Sequence, residues 1–405
     1  MSIADGRAAP GRRRATILAL ILGAQTVANI GPLGIPAIAS VIRADLGLTL
    51  AQAGSFLSAY YVGPVVMSIP AGTLADRWGI LVVLVAGQFL IAGGLAAASG
   101  SATYPTLIVL MMVAGCGYGM LNPTSTKAVL AWSPPAHRAT LVGLKQVGLP
   151  FGGALGAALL PVLAVAVSWR AAVLASAVVI ALGGAVSWLV YRDPPWLSAA
   201  GRPRARGGIR AVFLTRDLWL VAVATGVFAA MQTVWMAFFA LYLQEVVGLP
   251  LLSAGRYLAL AQASGMVGRV AFGLLSDRVF GGRRRIALAI AGSGSALCSL
   301  LIAVTGAGAP AWWLVLLAIA FGFVGIGWNG VQHTLMAELA GPEAAGTAVG
   351  LGLAVSSGGV ALAPPVFGWS VEVAGGFTAP WIALALAMIV GLVMLIPVRE
   401  RRRPI

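Results

Sequence analysis

Twelve apolar stretches, each long enough to cross about 30 Å of hydrocarbon as a helix, occupy most of this 405-residue chain. They run approximately 15–40, 53–75, 80–99, 105–131, 139–163, 168–191, 218–243, 253–275, 286–306, 311–335, 346–370 and 377–398. With 60% hydrophobic and only 9% charged residues, too little polar surface remains to cover a water-soluble domain. Glycine and proline recur inside these stretches, which membrane helices tolerate because neighbouring helices re-satisfy the backbone groups they free. The sequence therefore predicts an all-α integral membrane protein. Cys116 and Cys298 both lie in apolar stretches and read as small buried side chains. Neither a metal nor a cofactor is expected. Catalysis is not expected either, since there is no Ser-His-Asp grouping and no phosphate loop, and the only histidines are His137 and His333.

A net charge of +15 would suit nucleic acid if it were gathered on a soluble surface, so its location decides the matter. Arg7, Arg12 to Arg14, Arg77, Arg138, six arginines between 192 and 217, Arg278, Arg283 to Arg285 and four at the C-terminus fall on one side of the twelve stretches. Only Arg43, Arg170 and Arg256 fall on the other. The positive-inside rule places both termini and the 192–217 connection in the cytoplasm, and the basic surplus becomes an orientation signal that also favours anionic lipid. Nucleic acid is not an expected partner. The expected organisation is a tail at 1–14, a six-helix bundle at 15–191, a Pro- and Gly-broken cytoplasmic linker at 192–217, a second six-helix bundle at 218–398 and a tail at 399–405.

The halves repeat one another. "GLTLAQAGSFLSAY" from 47 returns as "GLPLLSAGRYLALA" from 248, the same shift carries "GTLADR" at 72 onto "GLLSDR" at 273, and "ATLVGL" at 139 returns as "GTAVGL" at 346. Parallel repeats that both begin on the cytoplasmic side are the arrangement from which alternating-access carriers are built. "GTLADRWG" (72–79) and "GLLSDRVFGGRRR" (273–285) resemble the signature loop of the major facilitator superfamily. The resemblance implies two six-helix bundles, with Gly72, Asp76, Arg77, Gly273, Asp277 and Arg278 forming latches on the cytoplasmic side. The alternative is that these residues only form turns and fix topology. "VGLPFGG" (147–153) partly resembles the glycine-proline motif of exporters in that family, although Leu149 stands where a glycine is expected. The alternative there is a small-residue packing face.

Ionisable groups inside a membrane are costly and are functional candidates by default. Lys145 lies about 9 Å into the fifth span, on a face with Gly148, Gly152 and Gly156, a strip along which another helix could slide. Lys127, near Trp132, either snorkels to headgroups or joins Lys145 in a positive cavity mouth. Arg269 lies past the middle of the eighth span on a face with Gln262. All carboxylates fall in loops or at span ends. That distribution favours a substrate that brings its own negative charge to the arginine fork, the alternative being that Arg269 reaches down to Asp277. The resemblance implies that spans 1, 4, 7 and 10 line a central cavity. Gln25, Asn29, Asn122, Gln232, Trp235, Asn329, Gln332 and His333 become candidate substrate contacts there, with Tyr60 and Tyr61 of span 2 as lining or packing. The expectation is a monomeric, multi-pass inner-membrane carrier moving a small organic anion of carboxylate type by rocker-switch alternating access. Transport would be coupled to a proton, carried by His333, Glu338, Glu245 or the substrate, or would run by exchange or uniport. The alternative is a drug or metabolite efflux antiporter.

Overall fold

The computed structural model describes residues 11–132, 138–193, 209–341 and 345–400. His137, Glu343, residues 1–10 and 401–405, most of the 192–217 linker, and the surroundings of Gly72 and of the Asp76 side chain lie outside the described residues. Among the described residues there are helices and no strand. Helix α1 (Gly11–Gly34) passes through a 3-10 turn (Ile35–Ile38) into α2 (Ala39–Leu46). There follow α3 (Leu50–Trp78), α4 (Ile80–Ser99), α5 (Tyr104–Trp132), α6 (Arg138–Ala166), α7 (Trp169–Val190) and the short α8 (Ile209–Leu214). The rest is α9 (Arg216–Glu245), α10 (Leu251–Leu274), α11 (Arg284–Ala303), α12 (Ala311–Gly327), α13 (Asn329–Ala340), α14 (Ala345–Ala374) and α15 (Thr378–Leu395). Among the described residues, eleven stretches are long and apolar enough to cross a membrane. Helix α3, with 29 residues and a length of about 43 Å, stands at the second expected span, 53–75, which is outside those eleven.

Two features depart from plain spans. The tenth is broken at Trp328, between α12 and α13, where the indole N–H donates back to the Gly325 carbonyl at 3.0 Å. Helix α10 ends in a π-helical turn, Leu275–Val279, of the kind often found at functional positions. The two signature stretches are therefore helix ends and not open loops. Arg77 lies in the last turn of α3, Asp277 and Arg278 lie in the π turn, and Gly79 alone (φ +90°) separates α3 from α4. A side chain at Gly79 would be strained and would strike the Asp193 carboxylate. That carboxylate accepts the Leu81 N–H at 3.2 Å and so caps the start of α4.

The chain divides into two units, Met1–Ile35 with Ala59–Arg204, and Pro36–Ser58 with Ala205–Ile405. The sequence repeat reappears as a repeat of helix pairing. In the first unit α1 packs on α6, and α4 packs on α5 and α7; in the second, α9 packs on α14, and α11 packs on α12 and α15. Lipid supplies little hydrophobic drive between helices, so close backbone approach over small residues carries the packing. Gly152 lies against the Thr26 carbonyl, Gly156 against Ile30 and Gly34, and Gly359 against Gly226. The strip formed by Gly148, Gly152 and Gly156 is thus the α1–α6 contact inside one unit, and not an open surface for sliding. Gly152→Val is expected to cost about 1–3 kcal/mol through overpacking, read as a lower unfolding temperature of the detergent-purified protein. An unchanged temperature would contradict this packing role.

Residues 36–58 belong in sequence order to the first half, yet they cluster with the second unit. Arg43 pairs with Glu245, Ser40 donates to Gln244 at 2.6 Å, and Glu372 accepts the Ala51 N–H at 3.1 Å. Gly368 lets α14 close on the backbone of Leu50 and Ala51. Over this segment the packing borders differ from the expected 15–191 and 218–398 bundles.

Candidate functional site

In the first unit, Lys145 is 1% exposed. Its Nζ donates to the Asn122 carbonyl at 2.9 Å, to Asn122 Oδ1 at 2.7 Å and to Thr126 Oγ1 at 2.9 Å. All three ammonium hydrogens therefore meet neutral oxygens of α5, and no carboxylate pairs with Lys145 among the described residues. The charge is solvated by dipoles but not cancelled. Lys127 is half-buried one residue beyond Thr126, about 100° further round the helix. Deeper in the unit, Gln25 Nε2 donates to the Tyr118 hydroxyl at 3.3 Å, and Asn29 Nδ2 donates to the Gln25 carbonyl at 2.7 Å. Tyr118 also groups with Tyr60 and Tyr61, with ring centroids 5.4 and 6.3 Å away. Gln25 Oε1, Asn29 Oδ1 and the Tyr60 hydroxyl are buried without a hydrogen-bond partner. Buried polar atoms are rarely left so. Tyr118 and Thr126 were not singled out from the sequence, although each stands four residues from Asn122, one turn to either side of it on the same face of α5.

In the second unit, Asn329 Nδ2 donates to Gln232 Oε1 at 3.1 Å and Gln332 Nε2 donates to Thr225 Oγ1 at 3.0 Å. Both bonds tie α13 to α9. Trp235 is fully buried, stacks on Phe321 at 3.9 Å and donates its indole N–H to Ser299 at 2.8 Å. This places it in the aromatic packing of the unit. Trp235→Ala is expected to lower stability by about 3–5 kcal/mol, measured by thermal unfolding, and an unfolding temperature equal to wild type would contradict that placement. Gln262 is buried in α10 two turns before Arg269. Arg269 is half-buried, about 15 Å from the Val279 end of its span. His333 Nδ1 is buried without a hydrogen-bond partner.

The described carboxylates of this unit are engaged near helix ends. Arg284, 12% exposed in its side chain, donates to Ser276 at 2.8 Å and pairs with Asp277 and with Glu338 at 3.3 Å. This network joins the π turn to the start of α11 and the end of α13. Asp217 accepts the Arg399 N–H at 3.1 Å and Glu400 accepts the Arg285 N–H at 2.7 Å.

Membrane-length helices in two internally repeated units, with cations and neutral polar groups inside and carboxylates at the ends, define a multi-pass helical membrane protein. The model of the Major Facilitator Superfamily matches residues 16–364, and the chain belongs to that superfamily. An uncharacterized MFS-type transporter of Mycobacterium tuberculosis is 32% identical over 87% of this chain and 78% of its own length. A probable sulfoacetate transporter of Cupriavidus necator is 28% identical over 94% of this chain and 92% of its own. A D-galactonate transporter of Escherichia coli is 26% identical over 84% and 86%. The structure of a bacterial homolog of the human lysosomal transporter Spinster superposes with a TM-score of 0.77 at 17% identity, covering 96% of each chain. All of these are named as transporters or as a homolog of one, one of them as MFS-type and two for organic acids.

Proposed function

We propose that this protein is a secondary carrier that moves a small organic anion of carboxylate type across the inner membrane, with both termini in the cytoplasm. One observation carries the reading. Arg269 is a half-buried cation inside a membrane-length helix of a unit whose described carboxylates are engaged near helix ends. A cation so placed favours a ligand that supplies the negative charge, and a guanidinium grips a carboxylate or sulfonate with directed, charge-assisted bonds. Relatives named for sulfoacetate and D-galactonate support the same class. Transport runs by rocker-switch alternating access, with Gly72, Asp76, Arg77, Gly273, Asp277 and Arg278 as the cytoplasmic latches.

The test is thermal-shift screening of the purified protein against sulfoacetate, D-galactonate, hexuronates, dicarboxylates, inorganic anions and lipophilic cations. Stabilisation confined to organic anions is the expected result. Stabilisation by lipophilic cations alone would replace this reading with a drug-efflux antiporter.

A further inference from the structure

We propose that Asn122 and Thr126 form a binding site for a primary ammonium ion in the first unit, and that the chain fills this site with an ammonium of its own, that of Lys145. The inference requires no particular substrate and stands apart from the organic-anion reading.

The site is built of lone pairs. Thr126 Oγ1 donates its hydrogen to the Asn122 carbonyl at 2.9 Å, and Ser125 Oγ donates to the same carbonyl at 2.9 Å. With its one hydrogen committed there, Thr126 can only accept from Lys145 Nζ, which it does at 2.9 Å. Asn122 supplies the other two oxygens, its carbonyl at 2.9 Å and Oδ1 at 2.7 Å. A backbone carbonyl and a side-chain amide oxygen are ligands that hard cations take, and backbone carbonyls hold cations in other membrane carriers. An ammonium, with three donors and no acceptor, is the complement of three such oxygens. Lys145 is 1% exposed, so these oxygens stand in for the water that its charge has lost. Because the ammonium is tethered through α6, its effective concentration at the site is high. The site is filled without drawing an ion from the medium.

The second unit provides an internal comparison. The register that carries "ATLVGL" at 139 onto "GTAVGL" at 346 also carries the start of α5, Tyr104, onto the start of α12, Ala311. It sets Asn122 onto Asn329, Thr126 onto His333 and Lys145 onto Gly352. The asparagine is kept, while the hydroxyl and the ammonium are both replaced. A side chain at Gly352 would begin 2.7 Å from Gln332 Nε2, a neutral donor that bonds to Thr225 Oγ1 at 3.0 Å. The second unit thus fills this place with a neutral amide, and the threonine oxygen and the cation occur together in the first unit alone.

The experiment uses the detergent-purified full chain and propylammonium as the probe. Lys145→Ala keeps Cβ and removes three methylenes and the ammonium, which is the volume and the charge of propylammonium. Saturable stabilisation of Lys145→Ala by about 2 °C or more in unfolding temperature is the expected result. Tetramethylammonium, which has no N–H, is expected to give no gain. Propylammonium is expected to leave wild type unchanged, because its site is filled, and also Lys145→Met, whose side chain takes the same space without a charge. No saturable gain in Lys145→Ala, or an equal gain in wild type or Lys145→Met, would overturn the inference. A wild-type measurement covers misfolding of Lys145→Ala. Lys127 and Lys145 are the chain's two lysines, so lysine labelled with nitrogen-15 at Nζ gives two signals, assigned with Lys127→Arg. At neutral pH Lys145 is expected to show an ammonium signal whose hydrogens exchange with water about tenfold or more slower than those of Lys127. A neutral-amine signal, or exchange as fast as at Lys127, would overturn the inference.

Discussion

Arg269→Gln is expected to weaken organic-anion binding about 30- to 100-fold and to reduce uptake accordingly, while the unfolding temperature stays close to that of wild type. Hydrogen bonds to charged groups contribute about 1.5–3 kcal/mol, and each 1.4 kcal/mol is about tenfold in affinity. Removing a guanidinium from a half-buried position inside a membrane-length helix therefore reaches the stated range from one interaction. Glutamine keeps a polar side chain of moderate length, so α10 has no reason to repack. Ligand-dependent thermal shift and uptake separate the two effects. Full transport by Arg269→Gln would remove Arg269 from the binding site.

Lys145→Met is expected to lower the stability of the first unit by about 2–4 kcal/mol. The ammonium donates three hydrogen bonds to Asn122 and Thr126, and methionine leaves those buried acceptors with fewer donors, at about 1–3 kcal/mol for each unsatisfied group. Volume is nearly conserved, so a cavity contributes little. Lys145→Arg is not expected to restore stability, because a bulkier planar guanidinium cannot meet three acceptors arranged for a compact ammonium. Denaturant titration of the purified variants reads this directly. Wild-type stability in Lys145→Met would mean that the three bonds are no better than those the group would make in the unfolded chain.

The helical spans were legible because lipid imposes a length and a composition on every crossing, and the repeat was legible because "GTLADR" and "GLLSDR" survive in both halves. Tertiary pairing was not. Asn122 and Lys145 were each picked out, but nothing in a separation of 23 residues announces that one solvates the other. The α5 face that completes this group could have been read from spacing alone, since Tyr118, Asn122 and Thr126 recur every four residues. Trp235 shows the opposite failure. An aromatic residue on a span reads equally well as cavity lining or as packing, and only its stack on Phe321 and bond to Ser299 assign it to packing. The attachment of residues 36–58 to the second unit depends on Arg43 and Glu245, 202 positions apart, and no local pattern encodes it.

The most direct measurement is uptake of radiolabelled sulfoacetate and D-galactonate, with a lipophilic cation as the competing class, into proteoliposomes that contain the wild-type chain or Arg269→Gln. Saturable uptake of an organic anion by wild type, absent with the cation and lost in the variant, is the expected result. Cation transport that Arg269→Gln leaves unchanged, with no uptake of either acid, would contradict it.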